Sequence, residues 1–333
     1  MSAIFLSGCE DGLKSKVYDA YNTSVFPQTE EDINALLVGG VYAPFRSNAF
    51  EGLFTVSNRG VQVNNDMCTD LGDCAWNDIY WSDLINVNFN NNLVESTPLL
   101  YRNNIGALAR MTNIIRTIEQ TDQINEDNKK KLIAQAYCGR GWLAYILYDL
   151  FGRLQLVTDE ALQNPAANVI VPRSTDEETV RFIEADLLEA ARYLPATIPY
   201  GDADYGRFTA GAAYTVLMHL YMHEGRWEDA AAIGEELMKP KYGYDLMPEY
   251  KDIFSIAGEG NAETIWACTE DSGINTQLWL SQVLPSNYPT QNPNIQKWNG
   301  YRMPWSFYHS YEAGDKRLDV ICAEFKSESG IVY

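Results

Sequence analysis

The sequence predicts a mainly α-helical protein in which helical hairpins form a scaffold and long irregular segments connect them. Apolar residues recur at helical spacing through several long segments, most of them introduced by a residue that favours helix starts. The segments between them contain Asn, Asp, Pro and aromatic residues without a sustained period, which is typical of loops. The 333 residues suffice for one large domain or two smaller ones, and the 46% of hydrophobic residues suffice for a buried core.

Residues that cap helices indicate where the long helices begin and end. Thr29 precedes an acidic first turn, and Asn125 opens a longer helix that we expect to end at Gly152. A helical period also covers about 98–120, and Thr175 introduces a further helix.

The clearest hairpin joins Ala210–Gly225 to Trp227–Met238 through a short turn. Gly225, Trp227 and Ala230 follow a Gly-x-Trp-x-x-Ala spacing across this turn, which resembles a tetratricopeptide hairpin. Such hairpins stack side by side because each buries the apolar face of its neighbour. We expect the helices at 126–151 and 176–194 to belong to the same stack.

Two regions interrupt the helical pattern. Residues 58–92 are rich in Asn and Asp, and we expect them to form long irregular loops without a packed core. Beyond residue 255, Glu263–Thr269 alternates like a strand, residues 273–311 show no sustained period, and Ser329–Tyr333 has the pattern of a β segment.

The formal net charge of −20 argues against two classes of function. A protein that neutralises phosphates needs a basic surface, so we expect no nucleic-acid partner. Attachment to anionic lipid through basic patches is disfavoured for the same reason. Uncharged ligands, and partners that bring cations, remain compatible with this surface.

The first nine residues predict a lipid anchor. Leu6-Ser7-Gly8-Cys9 has the pattern of a lipobox, and apolar residues precede it, so we interpret 1–9 as a signal-peptide remnant with Cys9 as the lipidated residue. We expect residues 10–28 to form a polar tether. No other segment reaches the ~18 consecutive apolar residues of a membrane span. The expected protein is anchored to the membrane and does not cross it.

The cysteine and metal chemistry is less specific. Cys68 and Cys74 form either a disulfide outside the cytosol or two free thiols beside the core, and the sequence leaves both open. Two groups have the residue types of metal ligands: His219 with His223, and Asp66 with Asp70 and Asp73. Neither group follows a known zinc or EF-hand spacing. We predict no metal site and no cofactor.

Several blocks of the sequence occur in the order of one known family. The blocks are Gln135–Thr158, Ile183–Ala191, Gly206–Ala213, Tyr242–Leu246, Glu263–Trp266 and Phe307–Arg317. The first resembles the helix of the SusD/RagB family that ends in a Tyr-Gly or Phe-Gly turn, here Phe151-Gly152. It departs from the family at Gln155, where Pro is usual. The resemblance runs from about residue 29 to the last residue.

This resemblance implies a fold and a function. It implies one SusD-like domain over 29–333, expected to be truncated at its C-terminus, with tetratricopeptide-like hairpins as the scaffold and loops and a few short strands on the ligand face. Members of the family are surface-exposed lipoproteins of the Bacteroidetes outer membrane that capture glycans for a SusC-like TonB-dependent transporter. We therefore expect a carbohydrate-binding protein of polysaccharide uptake with these partners, and not an enzyme.

Sugar recognition needs aromatic faces for the apolar side of the ring and planar polar groups for its hydroxyls. The predicted aromatic faces are Trp76, Trp81 and Trp279, and the predicted hydroxyl partners are Arg59, Asp66 and Asn77. For each tryptophan, the alternative is that its ring only packs a loop against the scaffold.

Two other functions remain open at this stage. A glycosidase needs two carboxylates at a defined separation, which 45 acidic residues do not exclude, although no other catalytic motif is present. The more serious alternative is a helical-repeat scaffold that binds a protein, a peptide or another non-glycan ligand, because the concave faces of hairpin arrays commonly do so.

Overall fold

The computed structural model of the chain describes residues 26–47, 52–57, 60–89, 97–157, 161–162, 170–270 and 278–333. The α-helices are α1 Glu30–Leu37, α2 Val61–Met67, α3 Ile79–Ile85, α4 Thr97–Glu119, α5 Glu126–Phe151, α6 Asp176–Tyr193, α7 Ala210–His223, α8 Trp227–Leu237, α9 Trp279–Val283 and α10 Trp305–Tyr308. Two short strands, β1 Asp73–Cys74 and β2 Tyr301–Arg302, form an antiparallel pair. No helix in these ranges is long and apolar enough to cross a bilayer.

The long helices form an array that follows chain order. Each of α4 to α7 packs against the next helix, and α8 completes the array. α1 continues through a π-helical turn and a 3-10 turn, and it packs against both α4 and α5. Gly225 has a φ of 67° between α7 and α8, a conformation that favours glycine in a tight turn. The predicted mainly helical fold and its hairpin are therefore confirmed.

Local capping explains the observed helix boundaries. Thr29 and Thr175 each accept a hydrogen bond from the backbone N–H three residues later, both at 3.1 Å, and an acidic side chain bonds back in each case. The Asn125 side chain accepts from the Asn128 N–H at 2.9 Å. Gly152 ends α5 with a φ of 70°. Each of these boundaries follows from residues within one helical turn.

The centre of the array is held by a buried ion pair. The Arg140 guanidinium on α5 donates to both carboxylate oxygens of Asp186 on α6, at 2.7 and 2.8 Å, and also to the Thr112 hydroxyl on α4 at 3.0 Å. It also lies over the Phe182 ring at 4.7 Å. Burial raises the pKa of Asp186, and the guanidinium opposes that shift. One side chain thereby joins three consecutive helices.

The expectation that 58–92 lacks a packed core is wrong for the described part of that segment. Val63 and Met67 lie four residues apart on α2, and Tyr80, Trp81 and Leu84 lie on one face of α3. These side chains are buried together in a second hydrophobic cluster, which is separate from the core of the helical array. Asp78, one of the residues that indicated loops, instead caps α3 by accepting from the Tyr80 N–H at 2.8 Å.

The predicted strand at Glu263–Thr269 is also absent from the described structure. The segment instead packs against the helical core: the Trp266 indole N–H donates to the Gly206 carbonyl at 2.9 Å, and the Trp266 ring packs against Trp142 and Phe208. The last residues do pair: Phe325 and Tyr333 exchange two backbone hydrogen bonds, of 3.1 and 2.9 Å, as a short hairpin.

We predict that Asp186→Ala lowers the free energy of unfolding by about 3–5 kcal/mol, because it leaves the Arg140 guanidinium buried without its bidentate partner. Urea denaturation followed by far-UV circular dichroism measures this loss. Glu177→Ala is the control, since it removes the exposed partner of Arg181 on the same helix and should cost far less. Similar small losses in both variants would contradict the central role of the ion pair.

Candidate functional site

Tyr301 joins two segments that are far apart in sequence. Its ring centroid lies 5.3 Å from those of both Trp76 and Trp81, and 6.4 Å from that of Trp279. Its hydroxyl donates to the Val56 carbonyl at 2.7 Å, and burial raises the pKa of that hydroxyl. The β1–β2 pair sets Tyr301 opposite Cys74. This aromatic junction fixes α2 and α3 against α9 and β2.

The backbone beside Tyr301 requires glycine. A Cβ atom on Gly300 would lie 2.3 Å from the Trp76 ring, so only glycine allows this close approach. The Trp76 indole N–H donates to the Trp298 carbonyl at 3.1 Å, and the Gly300 carbonyl accepts from Ala75 N–H at 2.8 Å. Trp76 is therefore held on both its ring and its polar edge.

A cavity of about 550 Å³ lies beside this junction. Its walls come from α2, the turn after α2, α9, β2, α10 and the C-terminal hairpin. Most lining side chains are apolar or aromatic, and the polar groups among them include Asp66, Asn299, Arg302 and the tyrosines Tyr288, Tyr308 and Tyr333. This volume and composition are typical of small-molecule sites, in which a few polar groups orient a ligand against apolar walls.

The polar groups of the cavity differ in how they are held. Burial raises the pKa of the half-buried Asp66, and a hydrogen bond from the Gln62 side chain opposes that shift. Arg302 is exposed and lies opposite Asp73 in the strand pair. Asn299 has a φ of 52°, a left-handed conformation that asparagine tolerates better than most residues.

Trp305 is the exposed aromatic residue of the cavity wall. Its side chain is 60% exposed although it lines the cavity. The ring stacks on His309, with centroids 5.6 Å apart, and meets Tyr308 edge-on at 5.2 Å. Neighbouring rings thus orient a tryptophan face that is still open to solvent, which is the arrangement that a sugar ring needs.

The structure brings together two of the predicted site residues and separates others. Trp279 and Asp66 both line the cavity. Trp81 is only 5% exposed and Trp76 is half-buried, so these rings pack the junction beneath the cavity. Asn77 is exposed and does not line the cavity. The predictions for Arg59 and Cys9 lie outside the described residues.

The cavity residues that were not among the predicted site residues include Trp305, Asn299 and Arg302. Trp305 belongs to the aromatic-rich segment 273–311, but its composition did not distinguish an exposed ring from a packed one. Asn299 precedes a glycine, a pair that is common where the backbone must turn. For Arg302 the sequence held no signal, because its place in β2 depends on pairing with β1.

A second cavity of about 580 Å³ shares Trp279 with the first. Gln62 of α2 lines it, together with Trp142, Thr215 and Trp266 from the helical scaffold and the segment after it. Trp279 and α2 therefore separate the two cavities.

The cysteines and the possible metal ligands are placed as follows. Cys68 and Cys74 are free thiols beside the second hydrophobic cluster, and burial raises the pKa of both. His223 Nδ1 lies 3.1 Å from an Asp149 carboxylate oxygen. In the part of the chain that the structure describes, no three His, Cys, Asp or Glu side chains are grouped as metal ligands.

We predict that Trp81→Ala lowers the free energy of unfolding by about 3–5 kcal/mol, because it opens a void in the junction. Trp305→Ala should change stability by no more than about 0.5 kcal/mol, since most of its ring is already in water. Urea denaturation of the two variants measures the difference. Equal losses would mean that Trp305 packs the fold and is not an open face.

Comparison with known proteins identifies the family. The family model described as SusD-like, starch-binding and associating with the outer membrane, matches residues 20–222. A SusD-like protein of Bacteroides ovatus is 26% identical over 220 residues, covering 61% of this chain and 38% of the relative. SusD-like protein P25 of Formosa agariphila is 21% identical over 292 residues, covering 81% of this chain and 50% of the relative.

A solved structure gives the same fold. Surface glycan-binding protein A from Bacteroides thetaiotaomicron, in complex with laminarihexaose, superposes with a TM-score of 0.69 at 19% identity, covering 90% of this chain and 64% of that one. The chain thus spans about two fifths to two thirds of the length of these proteins. With a family model that matches more than half of its residues, the chain belongs to the SusD-like family.

Proposed function

We propose that the chain captures a glycan in the cavity beside the aromatic junction. The observation that carries this proposal is the exposed Trp305 ring on the wall of an apolar cavity that also contains Trp279 and Asp66. Aromatic faces pack against the apolar side of a sugar ring, while Asp66, Asn299 and Arg302 offer acceptors and donors for its hydroxyls. The protein would therefore hold a sugar between apolar walls and a few oriented polar groups.

The family supports the same function. Its description names starch as a ligand, and the structural relative named above was solved with laminarihexaose, a linear oligosaccharide of glucose. These ligands belong to other proteins, and the structural relative is only 19% identical to this chain. The proposal for this chain is therefore the class of ligand, an oligosaccharide or polysaccharide, and not a particular linkage.

We propose further that the glycan is bound without being cleaved. Hydrolysis by the usual mechanism requires two carboxyl groups that flank the scissile bond, about 5–10 Å apart. Among the described residues that line the cavity, Asp66 supplies a carboxylate and no second Asp or Glu accompanies it. Release of reducing sugar from a bound glycan would contradict this part of the proposal.

The cellular role completes the proposal. Cys9 in its lipobox context would carry the lipid that holds the protein at the outer membrane, and a SusC-like TonB-dependent transporter would receive the glycan.

We predict that labelled palmitate is incorporated into the wild-type protein and not into Cys9→Ser when each is expressed in a Bacteroidetes host. Pull-down of the lipidated protein should recover a TonB-dependent transporter, and its absence would contradict the delivery role.

We predict that Trp305→Ala and Trp279→Ala each weaken glycan binding by at least about tenfold, or 1.4 kcal/mol, because each removes an aromatic face from the cavity. Isothermal titration calorimetry against a panel of soluble glycans that includes laminarihexaose measures the affinities. Trp227→Ala is the matched control, because Trp227 is 64% exposed but lies on the helical hairpin.

The control also tests the alternative function. If the cavity binds the glycan, Trp227→Ala keeps wild-type affinity. Binding that is lost in Trp227→Ala and kept in both cavity variants would contradict the proposed site and support the helical scaffold as the binding surface.

A further inference from the structure

The charges that line the first cavity nearly cancel. Among the described lining residues, Asp66 carries a negative charge and Arg302 a positive one, while the other side chains are uncharged. Proteins that recognise carboxylate or phosphate ligands present Arg or Lys groups in clusters, often as bidentate partners. Among its described lining residues, the cavity has one such cationic side chain, that of Arg302.

Arg302 lies opposite an acidic residue in the strand pair. Asp73 is its partner in the strand pair, and both residues act on the Cys74 thiol. Burial is the main cause that raises the pKa of this thiol; the nearby Asp73 and Asp78 add to the shift and Arg302 reduces it. Lys297, the cation nearest to Arg302 in sequence, donates to the Tyr288 carbonyl at 2.6 Å. Among the described lining residues, Arg302 is therefore the one Arg or Lys side chain that could meet an anionic ligand.

Asp66 is positioned to oppose an anionic ligand directly. It lies on the cavity wall, half-buried, with its carboxylate held by Gln62 one helical turn earlier. Two like charges repel more strongly where water is partly excluded than in bulk solvent. The net charge of −20 adds a weaker repulsion at longer range, which salt screens.

We propose that the cavity selects uncharged glycans over uronate or sulfated glycans, and that Asp66 is the residue that determines this specificity. This inference rests on the proposed function, because it concerns the ligand class of the same cavity. Asp66 would accept a hydrogen bond from a hydroxyl of a neutral sugar and would repel a carboxylate or sulfate at the same position.

The test compares glycans that share a backbone and differ in charge. Laminarin, galactomannan and soluble starch are titrated by calorimetry at low ionic strength, each as the neutral polymer and as its derivative oxidised to the carboxylate at C6. Alginate and polygalacturonate complete the panel. For each neutral polymer that binds, we expect the oxidised form to bind at least about tenfold more weakly. Added salt should reduce this difference between the two affinities, because it screens the repulsion.

Variants of Asp66 distinguish the effect of its charge on glycan affinity from the effect of its side-chain shape. Asp66→Asn keeps the side-chain shape and should reduce the neutral-to-oxidised affinity ratio several-fold, and Asp66→Lys should reduce it further. Glu235→Lys makes the same charge reversal at an exposed position on α8 and should leave the ratio unchanged. An unchanged ratio in both Asp66 variants, or equal shifts in Asp66→Lys and Glu235→Lys, would overturn the assignment of Asp66.

The outcomes also distinguish this inference from the function on which it rests. Binding of alginate, polygalacturonate or an oxidised polymer at least as tightly as the neutral forms overturns the inference and leaves glycan capture intact. Binding of none of these glycans, by protein shown to be folded, contradicts the proposed function, and the inference falls with it.

Discussion

The aromatic junction around Tyr301 is the contact on which the candidate site depends. Val56 and Tyr301 are 245 residues apart in sequence, and the hydrogen bond between them closes a long loop. Closing such a loop costs conformational entropy, and a strand pair of two residues offsets little of that cost. Burial of the Tyr301, Trp76 and Trp81 rings supplies the larger stabilising contribution. Without this junction, the walls of the first cavity would not meet.

The helical array provides the rigid support for this junction. Arg140 joins α4, α5 and α6, and the aromatic contacts of Trp142 and Trp266 attach the later segments to the same core. The cavity itself is formed by short helices and loops, which is where binding residues commonly lie on a stable scaffold. Aromatic rings such as Trp142 and Phe208 pack inside the array as well, so the two parts of the fold differ in architecture and not in aromatic content.

The sequence predicts the array well because its signals are local. A cap such as Thr175, a terminator such as Gly152 and an apolar period each lie within one or two turns of the element that they define. The packing of 60–89 could not be predicted in the same way, since one of the rings that bury Trp81 is Tyr301, more than 200 residues later. For the same reason the sequence identified Trp279 and Asp66 as candidates but could not show that Trp305 is the exposed ring beside them.

We propose that a glycan binds against Trp279 and Trp305 in the first cavity, and the indole N–H resonances of the protein test this binding most directly. The chain has eight tryptophans, each with one indole ¹H–¹⁵N signal that single Trp→Phe variants can assign. During titration with the best-binding oligosaccharide, the account predicts shifts for Trp279 and Trp305 and none for Trp227. Shifts at Trp227 without shifts at the two cavity residues would contradict it.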